Sequence, residues 1–550
     1  MPPTTQLATA AAWASTFHLA SAPPDVIALS KWQIANILAA ILAGSRAASG
    51  QKVRRALRGT QGPGPCTLIP HGERVALLDA LYVHAVYANT LELDDFHYRG
   101  HLGPAVVVVP LTLAEALGRD GAAVLRAQIV ANEVAGRLGW AITAEIRHGH
   151  QRSYLLRLAA ATAAASLLGL ETEQFTHALC IAMTQPELAL HPGEFSPETK
   201  VLSAASSVVE GTRAALLAAE GVTAARDILE HPAGFYRQFT MHRHVPTPFV
   251  QFGDAWCTHA LCFKRYSSCA LAAGAIDAVR ELQAHTPIDA SAVSRIEIAS
   301  SLPSLILEQL AYPHESPTLT PVNVQFSIRR SVAAALILGD LRGYHFQAEE
   351  FASWSPKAAR LSTVTTLVHD WRYTMEQLKG IDAGLNHGGG RRSADMFQLH
   401  RTSSAFRGMF GSARAIGARD IARILSLPRD DQRYFARRWT RSIRSHLRWR
   451  MTGDPGDAAP LGDLRKLSFR LGSRVTMTLA NGRVVSAERV LPTGMANDPD
   501  RGVVVHEKLL AEGTPVLGAG RCETLWNCIM MLDRAGTVTV PACASMDTRR

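Results

Sequence analysis

The chain has 550 residues, 47% of them hydrophobic and 19% charged, and a formal net charge of +10. At roughly 100–200 residues per domain, this length predicts two to four domains with sizeable cores, and the many alanines favour helix. The eight cysteines contain no Cys-x-x-Cys pair, which excludes the usual zinc and iron–sulfur spacings and predicts free thiols in a reducing compartment.

Neither a secretion signal nor a membrane span is predicted near the N-terminus. The first fifteen residues hold no Lys or Arg ahead of the apolar part. The longest uncharged apolar stretch in this region, residues 32–44, is too short to cross a bilayer. We therefore expect a cytoplasmic protein that makes no membrane contact.

In chain order, apolar residues at helical spacing first predict a long series of helices. These predicted helices cover residues 4–20, 25–46, 78–91, 111–117, 121–136, 153–168, 173–183, 201–220 and 268–284. Glu133 lies inside one of them between apolar residues. Burial of its side chain is one interpretation, and a solvated stripe is the one we prefer.

After Pro287 the pattern becomes mixed. Residues 294–301 alternate like a strand, residues 326–339 are typical of a helix, and residues 473–490 predict a hairpin around Asn481-Gly482. Residues 501–532 return to a helical pattern. The sequence therefore predicts a mainly α protein with an α/β part.

Positive charge is concentrated in one segment. Residues 371–450 hold 17 Lys or Arg against 6 Asp or Glu, so the rest of the chain is close to neutral. No helix-turn-helix, zinc-finger or RNP pattern accompanies these residues, so nucleic acid is not the favoured partner. Residues 388–390 and 451–456 are predicted hinges on either side of the segment.

Residues 91–110 carry the first group of candidate site residues. Asp94 and Asp95 follow a predicted buried helix, and His97 and His101 come soon after them. Four ionisable groups between two apolar elements are typical of shifted pKa values and of acid–base chemistry. A capping pair of acids followed by exposed histidines is the alternative interpretation.

Two more polar groups precede helices rich in small residues. His148 and His150 come just before the helix predicted from Ser153, whose N-terminus favours an anionic substrate. A solvated loop histidine is the alternative there. Lys200 stands where the next predicted helix begins, although the helix dipole disfavours a cation at that end.

These motifs, in this order, resemble those of the MmgE/PrpD family, a group of lyases and an epimerase. The matching elements are Asp94-Asp95 with His101 and the apolar run to Pro110, His150 eighteen residues before Leu168-Gly169-Leu170, Thr199-Lys200 with Gly211, Lys264-Arg265-Tyr266, Phe326-Ser327, and Asn481-Gly482-Arg483 with Gly494 and Pro499. The resemblance covers most of the chain outside residues 370–465.

The resemblance implies a large all-α domain built from both chain ends, residues 1–260 and 500–550. It also implies a smaller α/β lid domain, residues 261–499, interrupted by the Arg-rich insertion at about residues 370–465. The substrate site would lie in the cleft between the two domains of a homodimer, with no metal or organic cofactor.

Five positions depart from the family motifs. Phe96 replaces the threonine after the acid pair, and Glu92 stands at the first acid of that motif. Ser203 replaces a histidine, Ser267 a proline and Arg330 a tyrosine. We therefore expect the substrate or the chemical step to differ from those of other members.

The predicted chemistry is proton transfer beside a substrate carboxylate. The two imidazoles would act as base and acid, a carboxylate would orient one of them, and an ammonium would hold a carboxylate or the developing charge. The predicted catalytic residues are Asp94, His101, His150 and Lys200. The predicted substrate-binding residues are Glu92, His97, Lys264 and Arg330, the last as a fork for an extra carboxylate.

We therefore expect a cofactor-independent lyase acting on a small di- or tricarboxylic acid, with dehydration of a 2-methylcitrate-like acid preferred. Decarboxylation of a cis-aconitate-like acid and epimerisation by proton abstraction are alternatives. A metal site at Asp94, His97 and His101 is a rival, although glycines argue for a loop there. A different class of function is a decayed enzyme that binds an acidic partner through the Arg-rich insertion.

Overall fold

A computed structural model describes most of the chain. The described residues are 4–97, 100–141, 152–195, 197–239, 247–285, 287–311, 319–385, 418–452, 461–536 and 540–546. The predicted hinge at residues 388–390 and most of the one at 451–456 lie outside these ranges.

The N-terminal part is helical, with two short strand pairs between the helices. Its helices are α1 (Gln6–Thr16), α2 (Pro24–Arg46), α3 (Ala48–Leu57), α4 (Leu77–Thr90), α5 (Gly103–Val106), α6 (Val108–Leu117), α7 (Gly121–Ala141), α8 (Arg152–Leu168), α9 (Thr172–Thr184), α10 (His191–Glu194), α11 (Ala205–Ala219) and α12 (Phe235–Phe239). Its strand pairs are β1 (Cys66–Leu68) with β2 (Glu73–Val75), and β3 (Asp95–Phe96) with β4 (Cys262–Phe263).

Small residues let the central helices approach closely. Helix α8 packs on both α7 and α11. At Gly211 of α11, an added Cβ would lie 2.2 Å from the carbonyl oxygen of Arg157 and 2.7 Å from the Ala160 side chain. Any larger residue would push the two helices apart, so the glycine fixes their spacing.

Helix α2 is long and apolar enough to span a membrane by length and composition alone. It begins with Pro24 in its first turn and carries Asp25 there, which suits a helix N-terminus. Its most apolar window is 78% buried in the protein. That burial is how a core helix packs, so the helix is weak evidence for membrane insertion.

The remaining helices and strands form the α/β part and the C-terminal region. The helices are α13 (Ala273–His285), α14 (Leu302–Ala311), α15 (Pro321–Gln325), α16 (Ile328–Leu338), α17 (Ala348–Thr363), α18 (Trp371–Gly384), α19 (Ala418–Leu425), α20 (Arg429–Thr452), α21 (Arg501–Leu517), α22 (Ala519–Met530) and α23 (Val540–Cys543). The strands are β5 (Val293–Ser300), β6 (Thr365–His369), β7 (Ser473–Leu479) and β8 (Val484–Arg489). The prediction of a mainly α protein with an α/β part is confirmed.

One four-stranded sheet organises the α/β part. Its strand order is β6-β5-β7-β8, with β5 parallel to β6 and antiparallel to β7. The predicted hairpin joins β7 and β8, and Gly482 supplies the left-handed turn conformation with φ of 83°. Strand β7 alternates buried and half-buried residues, and helix α13 packs against β7 and β8.

Two large apolar cores support these parts. The first takes residues from both ends of the chain, between Leu7 and Phe263 and again between Val505 and Ala544. The second joins the sheet and its helices to Ala40, Leu91 and Phe96. The segment that carries Glu92, Asp94 and Asp95, called the acid segment below, therefore lies where the two cores meet. The domain limits predicted above stay a prediction.

Part of the Arg-rich insertion is folded against the sheet domain. Trp371, Met375 and Leu378 of α18 form a small core with Ile424 of α19, and α20 packs on it through Trp439 and its neighbours. The Tyr434 hydroxyl lies 2.6 Å from Asp382 Oδ2, and Arg438 also pairs with Asp382. These contacts give Tyr434, Phe435 and Trp439 of α20 a structural role.

Two predictions about charged residues on the helices are wrong. Glu133 is fully buried, where it pairs with Arg137 and accepts backbone hydrogen bonds from Cys257 at 2.8 Å and Thr258 at 3.0 Å. Sequence periodicity showed its apolar neighbours but not these distant partners. Lys200 lies in a separate 3₁₀ turn, Glu198–Leu202, because the long helix begins only at Ala205.

Candidate active site

Pairing of two short strands brings the acid segment to its basic partner. In β3 and β4, Asp95 lies opposite Phe263 and Phe96 opposite Cys262. Continuing this antiparallel register places Asp94 opposite Lys264. Lys264 Nζ lies 2.5 Å from Asp94 Oδ1 and 2.8 Å from Glu92 Oε2.

Glu92 joins the two lysines of the site. Its Oε1 lies 2.5 Å from Lys200 Nζ, while its other oxygen contacts Lys264. Its backbone φ is 53°, in the left-handed region that non-glycine residues rarely adopt. Such strain persists only when surrounding contacts fix it, and here the contacts are two buried ammonium groups.

Asn89, in the last turn of α4, ties the Lys200 turn to the same place. Its side-chain amide donates to the carbonyl of Lys200 at 2.9 Å and to Ser203 Oγ at 3.1 Å. Its backbone carbonyl accepts from Lys200 Nζ, and its side-chain oxygen accepts from Arg152. Asn89 is completely buried, so these bonds position Lys200 and Arg152 together.

A third cation, Arg152, opens α8 and faces the same carboxylates. Its Nη2 lies 3.6 Å from Glu92 Oε1 and 3.9 Å from Asp94 Oδ2, and its side chain is 3% exposed. With Lys200 and Lys264 it surrounds two carboxylates with three positive charges. We call these five side chains the charge cluster.

The charge cluster shifts the pKa values of its members in opposing directions. Burial alone would raise the pKa of Glu92 and of Asp94, but the neighbouring cations outweigh it and hold both below their usual values. Burial lowers the pKa of Lys200 despite Glu92, whereas Asp94 and Glu92 raise that of Lys264 against the effect of burial. Both carboxylates are therefore ionised near neutral pH.

His101 lies at the edge of the charge cluster as a neutral base. Its Nδ1 is 3.0 Å from Asp94 Oδ2, and burial together with Arg152 lowers its pKa to about 4 although Asp94 acts to raise it. An ionised carboxylate only accepts hydrogen bonds, so Nδ1 carries the proton and Nε2 is the basic nitrogen. The ring retains 20% exposure and lies beside Phe96. This arrangement orients an imidazole for proton transfer.

His97 lies apart from the charge cluster. Its ring packs against Gly136 of α7, where an added Cβ would lie 2.9 Å from the His97 ring carbon Cε1. Its backbone pairs with Gly100. Burial lowers the pKa of His97 to about 4, and within the described residues its ring nitrogens find no hydrogen-bond partner. Its predicted role in substrate binding stays a prediction. The described residues also contain no cluster of three His, Cys, Asp or Glu side chains able to hold a metal.

An apolar wall with one buried acid lies beside Lys200. Phe326, just before α16, lies 5.8 Å from Lys200 Nζ and meets Phe195 edge to face at 5.1 Å. Glu194, next to Phe195, is 3% exposed and is influenced by the charges of Arg152 and Lys200. The wall therefore combines aromatic surface with a buried carboxyl group.

The described contacts do not test the predicted roles of Arg330 and His150. Arg330 is buried in the first turn of α16, where its described contacts are with the carbonyl of Asn323 at 3.5 Å and the Ser327 hydroxyl. His150 lies outside the described residues, two positions before Arg152. Their predicted roles in specificity and catalysis stay predictions.

Comparison with known proteins identifies the part of the chain that holds most of this site. Residues 8–247 match the MmgE/PrpD N-terminal domain. The chain carries an MmgE/PrpD domain. The resemblance predicted from the sequence motifs is thereby confirmed.

Several curated proteins are similar in sequence to this chain. Cis-aconitate decarboxylase of Aspergillus terreus is 28% identical over 292 residues, which cover 50% of this chain and 59% of the relative. A cis-aconitate decarboxylase-like protein of Aspergillus oryzae, oryM, is 25% identical over 383 residues, 65% of this chain and 78% of the relative. Human cis-aconitate decarboxylase is 32% identical over 164 residues, 28% of this chain and 34% of the relative. The match thus spans little more than half the length of the A. terreus protein.

The MmgE/PrpD domain supplies Glu92, Asp94, His101, Arg152 and Lys200, all within residues 8–247. Residues beyond the match complete the site. Lys264 directly follows β4, and Lys508 of α21 donates to the Leu93 carbonyl at 2.9 Å. Burial lowers the pKa of Lys508 to about 7.

Sequence reasoning missed Arg152, Asn89, Glu194 and Lys508. Only Arg152 carried a usable signal in the sequence. It is a cation at a helix N-terminus, the same disfavoured position that was predicted for Lys200. Asn89 and Lys508 sit inside helices whose pattern gives no hint of a polar neighbour. Glu194 lies between the helices predicted at 173–183 and 201–220, where the sequence carries no chemical signal.

Proposed function

We propose that this protein is a lyase that removes CO₂ from a small unsaturated tricarboxylic acid of the cis-aconitate type. The observation that carries the proposal is the neutral His101, oriented by Asp94 next to three buried cations. The relatives named as cis-aconitate decarboxylases favour this reaction over the dehydration preferred from the sequence. Dehydration of a 2-methylcitrate-like acid remains the second candidate.

The cations suit the substrate's charges. A tricarboxylate that enters a buried site loses its hydration, and Lys200, Lys264 and Arg152 replace that hydration with charge-assisted hydrogen bonds. The resident carboxylates of Glu92 and Asp94 keep these cations in place when no substrate is bound. Positive charge is therefore preorganised where negative charge develops.

The proposed step is a decarboxylation with allylic shift. The bond between the departing carboxylate carbon and its methylene carbon breaks, and CO₂ leaves. The electron pair moves into a new double bond, and the old double bond's electrons move to the carbon next to a retained carboxylate. That carbon takes one proton, which His101 delivers after the substrate's negative charge has favoured its protonated form. The predicted second proton carrier is His150.

Proton NMR in D₂O tests the proposal directly. We expect cis-aconitate to disappear while a product with a terminal methylene group appears, carrying one deuterium at the newly protonated carbon. Water loss from 2-methylcitrate instead would establish the second candidate. Solvent exchange without loss of a group would indicate epimerisation, and no change in any acid would refute the lyase proposal.

Two further properties belong to the proposal. Because lysine and arginine bind the carboxylates, we expect turnover to survive dialysis against a chelator without added metal or organic cofactor. We also expect a homodimer, which mass photometry measures. Restoration of a lost activity by a metal ion, or a monomer at working concentration, would contradict these expectations.

A further inference from the structure

Two cysteines near the end of the chain place their sulfur atoms side by side. Cys528 lies in the last turn of α22, and Cys543 ends α23, fifteen positions later. Their Sγ atoms are 3.3 Å apart, and both side chains are partly exposed. A small molecule in solution can therefore reach two thiols that already lie next to each other.

Most of the other cysteines lack this access. Five of them are completely buried, namely Cys66, Cys180, Cys257, Cys262 and Cys522. Burial keeps a thiol away from oxidants in solution, so their side chains act as small apolar groups. Exposure and proximity together single out Cys528 and Cys543.

We propose that Cys528 and Cys543 form a reversible disulfide, which fastens α23 to α22, when the protein meets a small-molecule disulfide such as oxidised glutathione. In a reducing compartment both remain thiols, so the bond forms only on a change to oxidising conditions. The inference does not depend on the proposed function, because neither cysteine belongs to the charge cluster.

The reaction consists of two thiol–disulfide exchanges. One cysteine, as its thiolate, attacks a sulfur of oxidised glutathione, whose S–S bond breaks and releases one glutathione. The second cysteine then attacks the protein sulfur of this mixed disulfide, and the second glutathione leaves. In total, two protein thiols are oxidised, one glutathione disulfide is reduced to two thiols, and both protons pass to the glutathione sulfurs.

The separation of the two sulfur atoms favours the second exchange. A disulfide bond is about 2 Å long, so atoms that start 3.3 Å apart need to approach by only about 1 Å. Rotation of the side-chain torsions supplies a movement of that size. Because the attacking thiol is held beside its target, its effective concentration exceeds that of free glutathione, and the mixed disulfide should not accumulate.

The bond would fasten a segment that closes the helical part of the protein. Helix α23 packs on α6 and β1 as well as on α22. Val540 and Ala544 belong to the first apolar core, and the Met546 backbone amide donates to the Pro70 carbonyl at 2.6 Å. A cross-link between α22 and α23 would therefore oppose local opening of residues 540–546.

Mass spectrometry of the full-length protein tests the inference. After incubation of the folded protein with oxidised glutathione, we expect the intact mass to fall by the mass of two hydrogen atoms, and dithiothreitol should restore it. Trypsin digestion without reductant should then link residues 522–534 to residues 535–549. Cys528→Ser should abolish this link. Cys522→Ala, which removes the other cysteine of the first peptide, is the matched control and should retain it.

Hydrogen exchange measures whether the bond fastens α23. The backbone amides of residues 540–546 should exchange severalfold more slowly in the oxidised wild type than in the reduced protein. The Cys528→Ser protein should show no such difference between the two conditions.

Four results would overturn the inference. They are no reaction of the folded protein, a glutathione adduct that persists on the wild type, a link through another cysteine or between two chains, and equal exchange of residues 540–546 in the oxidised and reduced wild type. Each of them leaves the lyase proposal as it stands.

Discussion

Asp94 and Lys264 are 170 residues apart in the chain, yet Lys264 Nζ lies 2.5 Å from Asp94 Oδ1 because strands β3 and β4 pair antiparallel. The same carboxylate holds His101 through its second oxygen. Asp94 thus links the acid–base group to a cation that would bind substrate. Its replacement should affect both functions.

We predict that Asp94→Asn lowers kcat by about 10²–10⁴-fold, because an amide neither fixes the His101 tautomer nor compensates Lys264. Steady-state kinetics on the acid identified by NMR measures this. Asp430→Asn is the control, since the Asp430 side chain is 92% exposed. Full activity of the Asp94 variant would remove Asp94 from the mechanism.

We predict that Glu133→Gln destabilises the fold by about 3–5 kcal/mol, because it leaves the fully buried Arg137 without its counter-ion. Urea unfolding measures the free energy of unfolding. The matched control is Glu210→Gln, which removes an exposed pair with Arg213 and should cost less than about 1 kcal/mol. Equal effects of the two changes would contradict this account of the buried pair.

We predict that stability falls as pH drops from neutrality toward pH 5, in part through His84. Burial lowers the pKa of His84 to about 3, and its Nε2 accepts from the Ile69 backbone. Between this value and the unfolded pKa of about 6.5, the unfolded chain binds a proton that the folded chain does not, so acid favours unfolding. The contribution of His84 is about 2 kcal/mol at pH 5.

The pH dependence of unfolding separates His84 from other groups. His84→Gln should lower the slope of the free energy of unfolding against pH by up to about one proton between pH 5 and pH 6. His285→Gln, at an exposed position, is the control. An unchanged slope in the His84 variant would show that the ring does not stay neutral in the folded protein.

We predict that Arg330→Tyr changes substrate preference among di- and tricarboxylic acids, because it replaces a cation by a phenol beside Phe326 and Ser327. The comparison is the ratio of kcat/KM for a tricarboxylate to that for a dicarboxylate, in both proteins. Arg329→Tyr is the control, since Arg329 pairs with Glu308 instead. An unchanged ratio would remove Arg330 from specificity.

Most of the fold prediction came from sequence patterns that extend over only a few residues. The end of α4, the helix turn at Gly103 and the hairpin at Asn481-Gly482 follow from periodicity and turn chemistry, which act over a few residues. Lys264 was found only through a family motif, because nothing near it in the chain shows its pairing with Asp94. Glu133 was misjudged for the same reason, since its partners Cys257 and Thr258 lie over a hundred residues away.

The candidate site could be predicted where ionisable residues cluster in the chain. Asp94 and His101 are seven positions apart and bond directly. Arg152 carried one local signal, as a cation at a helix N-terminus, but Glu194 carried none, because its burial arises from tertiary packing. Tertiary structure, and not local sequence, decides which buried charges meet.

The bond from Lys508 to the Leu93 carbonyl has a consequence for biosynthesis. The backbone of the acid segment is held at Leu93 by a hydrogen bond from a side chain more than four hundred residues downstream. A ribosome must therefore translate the chain through Lys508 before the pocket can be completed. The nascent protein is thus expected to remain inert until Lys508 has emerged.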